Sequence, residues 1–109
     1  MLIDFSRMPV KTLDHFYGGD KEVQAKVYAD GQNRILYGCL APGASIGMHR
    51  HETSSEIVYV VSGHGRILFD DTSFPIGPGQ CHYCPKGHSH STVNDGEEEL
   101  VCFTVVPEQ

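Results

Sequence analysis

The sequence predicts an all-β fold, a barrel or sandwich of short strands, and three observations carry that prediction. Apolar residues come in brief runs such as Ile57-Val58-Tyr59-Val60-Val61, rich in β-branched and aromatic side chains. Twelve glycines and six prolines punctuate the chain between these runs. No segment carries the apolar spacing of an amphipathic helix. At 109 residues the chain has room for one core and not for two, so one domain over 1–109 is expected.

The elements follow in order. Residues 1–20 read as an irregular N-terminal arm with room for a strand, lying on the barrel or on a neighbouring subunit. Val23 to Ala29 alternates apolar and polar residues, Asp30-Gly31-Gln32-Asn33 turns the chain, and Arg34 to Leu40 returns, which predicts a hairpin. Pro42-Gly43 breaks the chain before a strand carrying His49 and His51. Glu56 heads the run to Val61. After Gly63 and Gly65 come a strand at Arg66–Phe69, a turn at Asp70-Asp71, and a loop over 74–79. Gln80–Cys84 and His90–Val93 are short strands, Asn94-Asp95-Gly96 is a turn, and Glu97–Val106 closes the sheet.

Two stretches carry chemistry. On an extended strand residues i and i+2 share a face, so His49 and His51 can converge on one point. If the polar turn Glu52–Ser55 folds the next run back, Glu56 brings a carboxylate to the same point. Downstream, Pro85-Lys86-Gly87 turns the chain just before His90.

Here the sequence resembles the cupin family. Its first motif, G-x5-H-x-H-x4-E-x6-G, is matched over 43–63 at Gly43, His49, His51, Glu56 and Gly63. Its second, G-x5-P-x-G-x2-H-x3-N, is matched over 79–94 at Gly79, Pro85, Gly87, His90 and Asn94. Every defining position is filled with the family spacing, whereas a lone His-x-His would carry little weight. The resemblance implies a double-stranded β-helix, or jelly-roll barrel. It also implies a divalent metal held by His49, His51, Glu56 and His90, and a small protein that pairs as a homodimer.

Three imidazoles and one carboxylate around a divalent ion leave a net charge of about +1 and, in an octahedral site, two free adjacent positions. A bidentate ligand such as a carboxylate, diketone or enediolate fits there. Fe, Mn, Ni, Co and Zn all suit the donor set, and proton competition predicts weaker binding at low pH. Alternation from Glu56 places Val58 and Val60 on the metal side. The facing strand presents either Ile35, Tyr37 and Cys39 or Leu36, Gly38 and Leu40, so the pocket is largely apolar in both cases. Tyr37, His82 and Tyr83 are its candidate polar or proton-transferring residues, with Glu52 further off.

The remaining candidates have plainer readings. Cys81 and Cys84 have CxxC spacing, but residues i and i+3 of a strand face opposite sides and cannot share an ion. His82 falls on the same side as Cys84. His88 lies on the turn before His90, and His15 and His64 read as surface residues.

The formal charge is −6 and the eight Lys and Arg are scattered, which argues against a nucleic-acid surface. No apolar run reaches membrane-span length, and the first residues lack the pattern of a secretory signal, so the expected location is the cytoplasm. The four cysteines are then expected as thiols. No cluster of Lys and Arg near the motifs would hold a phosphate. Three functions remain: a metalloenzyme such as a dioxygenase or decarboxylase, a non-enzymatic metal-dependent binder of a small molecule, and a structural barrel.

Overall fold

A computed structural model describes residues 1–109. Ten strands follow in chain order. They are β1 (Lys11–Asp14), β2 (Glu22–Ala29), β3 (Asn33–Leu40), β4 (Ser45–Arg50), β5 (Glu56–Ser62), β6 (Gly65–Phe69), β7 (Thr72–Ile76), β8 (Cys81–Cys84), β9 (Ser89–Val93) and β10 (Leu100–Pro107). The only helical pieces are 3-10 turns at Phe5–Arg7 and Phe16–Gly18. All strand pairs are antiparallel. A six-stranded sheet runs β1-β2-β3-β10-β5-β8 and a four-stranded sheet runs β4-β9-β6-β7. This is the double-stranded β-helix that the motifs imply.

Local chemistry sets the turns. In the β2–β3 hairpin, Asp30 Oδ1 accepts the backbone N–H groups of Gln32 and Asn33, each at 2.8 Å. Those hydrogen bonds hold the Asp30 carboxyl below its usual value. Gly63, after β5, has φ of 81°, and a Cβ there would lie 2.0 Å from the carbonyl oxygen of Glu99. Only glycine fits that approach.

The inner faces of the two sheets pack into one core of Val23, Ala25, Leu40, Val58, Val60 and Ile67 with their neighbours. Burying each of the larger of these contributes roughly 1.5–3 kcal/mol. One departure from the sequence reading concerns this framework. Residues 74–76 belong to β7 and not to a loop; Pro75 is tolerated because β7 is an edge strand. The arm contributes β1, which pairs with β2 of its own chain, and Phe5, which packs on Tyr37 and Phe103 of the same sheet.

A bulge in β4 positions the site. Ile46 pairs with Thr92 but His49 pairs with His90, so β4 carries one extra residue. Strict alternation would turn Ile46 and His49 to opposite faces. The bulge lets both line the same cavity.

Candidate metal centre

His49 ends the bulged part of β4, His51 follows the strand, Glu56 opens β5 and His90 lies in β9 opposite His49. The loop of the second motif clamps the first: the Gly87 N–H donates to the His51 carbonyl at 2.6 Å, and the His51 N–H donates to that of His88 at 3.0 Å. Gly87 reaches this contact with φ of 93°. Beyond β9, the buried Asn94 Nδ2 donates to the carbonyls of Leu40 at 2.9 Å and Glu98 at 2.8 Å. It fixes the end of the His90 strand.

The four side chains meet at one point. His51 Nε2 is 3.0 Å from His90 Nε2, which is 3.1 Å from His49 Nε2. Glu56 Oε1 lies 3.0, 3.3 and 3.7 Å from the Nε2 atoms of His51, His90 and His49. Each imidazole has its Nδ1 engaged elsewhere. His49 Nδ1 donates to the Gly47 carbonyl at 2.8 Å, which leaves the Nε2 lone pair facing inward. His51 Nδ1 meets Ser54 Oγ at 3.0 Å, and His90 Nδ1 meets His82 Nε2 at 3.0 Å.

Nitrogen lone pairs and a carboxylate oxygen aimed at one another at such distances repel unless positive charge lies between them. Donors about 2.1 Å from one ion stand about 3.0 Å apart in an octahedron and about 3.4 Å apart in a tetrahedron. The observed spacings span that range, so the set is compatible with a divalent metal. Burial alone would push the Glu56 carboxyl up, but in the absence of an ion an Nε2–H of His49, His51 or His90 that donates to it holds it well below the usual carboxylate range, the place the ion takes when bound. The oxygen is therefore anionic, as a metal ligand must be.

Behind this cluster lies His82, buried against the ring edges of Phe69 and Phe74. Burial, and then the charge of His90, pushes it down to about 4, against a smaller opposing effect of Glu56. If His90 offers Nε2 to an ion, its Nδ1 carries the proton and His82 Nε2 accepts it. Cys84 adjoins the same pair, but burial pushes its thiol up to about 11, so it stays protonated. Cys81 faces outward, as the strand alternation requires.

A cavity opens over the cluster, lined by 17 residues of which 11 are hydrophobic. It leaves about 50 Å³ for the centres of water-sized groups, room for a ligand of a few heavy atoms. Val58 lines it, as does the Leu36, Gly38 and Leu40 face of β3. Four pocket assignments need correction. Tyr37 and Tyr83 lie on the opposite, exposed faces of β3 and β8. Val60 shares the face of Val58 but is sealed in the core, outside the cavity wall. His82 is a second layer behind His90.

Among the lining residues that escaped the sequence reading, two bear on the chemistry of the site. Tyr17 stacks on His49 with ring centroids 4.1 Å apart and planes 14° apart. It arrives there because His15, Tyr17 and Lys21 adopt left-handed φ of 50°, 52° and 58°. Gly47 also makes room, since a Cβ there would lie 2.0 Å from the Tyr17 carbonyl oxygen. Only Gly18-Gly19 hints at this bend. The other is Arg34, which lines the cavity from β3. Its signal was parity, since Arg34 shares a face with Leu36, Gly38 and Leu40, but the sequence did not say which face turns inward.

Comparison with known proteins agrees with the geometry. The profile of the Cupin domain family matches residues 36–106. The chain belongs to the cupin family. It is 29% identical to the oxalate-binding protein of Thermotoga maritima over 112 residues, covering 97% of this cupin and 93% of that protein. A crystal structure from Thermotoga maritima, described as a predicted oxalate decarboxylase, covers 100% of both chains with a TM-score of 0.94 and 27% identity. An RmlC-like cupin of Shewanella frigidimarina gives a TM-score of 0.82 at 13% identity, covering 99% of this chain and 90% of that one. That last likeness is one of fold alone.

Proposed function

We propose that this cupin binds a divalent transition metal through His49, His51, Glu56 and His90, and captures a small carboxylate on it. One observation carries the reading: three Nε2 atoms and one carboxylate oxygen converge with contacts of 3.0–3.7 Å, and two of these four groups, His49 and Glu56, line a largely apolar cavity. When bound, the ion supplies Lewis acidity to an oxygen-donor ligand. The chain orients the ligand set, excludes water with Val58, Leu36 and Tyr17, and limits ligand size. Oxalate is the first candidate, since the Thermotoga maritima relative is named for binding it.

Capture is favoured over acid–base turnover by the lining itself. Its one carboxylate and one imidazole are Glu56 and His49, both members of the ligand set. No second carboxylate or imidazole lines it, and the Tyr17 phenol is stacked on the His49 ring. The test is calorimetric titration of oxalate into protein loaded with manganese and into protein stripped of metal. Metal-dependent binding with oxalate recovered intact supports capture. Binding that ignores the metal would overturn the reading, and release of carbon dioxide would replace capture with decarboxylation.

A further inference from the structure

We propose that Arg34 is the specificity-determining residue of this site and restricts it to small dianions, dicarboxylates above all. The inference rests on the metal-dependent carboxylate capture described above.

Arg34 is the one cationic side chain among the residues lining the cavity. Arg7 and Arg66 form ion pairs with Asp4 and Asp95, and Arg66 also donates to Ser73. Arg34 pairs with no carboxylate of the chain. Its place in the sheet is fixed by register. Arg34 stands opposite Val106 of β10, and Val105 stands opposite Ile57 of β5. The row therefore continues from Arg34 through Val106 to Glu56, with about 10 Å between the outer two backbones. Arg34 and Glu56 thus face the same cavity from either side of β10.

Charge defines the occupant. The metal with three neutral imidazoles and the Glu56 carboxylate carries about +1. The guanidinium raises the total in the cavity to about +2. The other walls are mostly apolar, and Thr92 and Thr104 offer only neutral hydroxyls. A partly desolvated guanidinium without a partner is unfavourable, and its planar fork matches a carboxylate. A small dicarboxylate satisfies both ends: one end donates oxygens to the metal and the other accepts from Arg34. A monoanion leaves one positive charge unmatched.

The experiment uses the manganese-loaded full chain, with oxalate and its monoanionic isostere oxamate as probes. Wild type, Arg34→Gln and Arg34→Lys are compared by calorimetry, with metal stoichiometry measured on each. Wild type should prefer oxalate. Arg34→Gln should keep its metal, lose about 10- to 100-fold in oxalate affinity and change little towards oxamate. Arg34→Lys, which keeps the charge but not the fork, should fall between. An unchanged oxalate-to-oxamate ratio in metal-replete Arg34→Gln would overturn the role of Arg34 while leaving metal-dependent capture standing. Wild type that holds manganese but binds neither probe overturns both, and wild type that holds no manganese strikes the metal reading itself.

Discussion

At the scale of single residues, the site works by fixing which nitrogen of each imidazole faces inward. His82 performs this for His90 across a 3.0 Å contact. Removing that acceptor with His82→Phe should weaken metal binding about 10- to 100-fold. His82→Gln keeps an acceptor oxygen and should recover much of it. Competition with a chelating dye measures both, and equal affinity in all three proteins would remove His82 from the site. The four ligand residues were legible because chemistry ties them to fixed spacings. Arg34 and Tyr17 were not, because their positions depend on which face of β3 turns inward and on left-handed φ at His15, Tyr17 and Lys21.

At the scale of elements, close backbone approaches hold the strands where the ligands need them. Gly63→Ala would force a side chain against the Glu99 carbonyl at positive φ. It should cost more than about 1 kcal/mol, read as a lower midpoint in urea unfolding. Gly47→Ala would push the Phe16–Gly18 turn off β4 and lift Tyr17 from His49. Strand positions were largely legible from alternation and turn residues, as at β2, β3 and the Asp30 turn. The exceptions have physical causes. Alternation fails at the β4 bulge, where one extra residue brings Ile46 to the cavity side. The proline in β7 hides an edge strand whose N–H groups need no partner.

At the scale of the whole molecule, the outer face of β3, β10 and β5 is apolar, with Phe5 packed on part of it and Lys26 of β2 at its margin. Tyr37, Phe103 and Tyr59 form one row across β3, β10 and β5, flanked by Ile57 and Tyr83. Outward positions of β3, β10 and β5 carry no charge, so this part of the face can meet a copy of itself without like-charge repulsion. We propose a homodimer through it. Tyr59→Lys should shift the protein to monomer in sedimentation, and a wild type already monomeric at high concentration would contradict this. Acid should also unfold the metal-free protein. Native His82 is pushed down to about 4 from an ordinary 6.5, so between those values the unfolded chain binds a proton that the native one does not. Stability from this group is intact above pH 6.5 and is lost as pH falls towards 4, by up to about 3 kcal/mol. Glu56, held below its ordinary 4.5, extends the loss to lower pH. Urea midpoints across this range measure it, and a flat profile would place His82 outside the buried network. The most direct measurement is the metal content, by mass spectrometry, of tag-free wild type and His51→Ala prepared side by side. Near-stoichiometric Fe, Mn, Ni, Co or Zn in the wild type and its loss in the variant is the expected result. Equal metal in both, or a wild type that takes up none on reconstitution, would contradict a metal centre at His49, His51, Glu56 and His90.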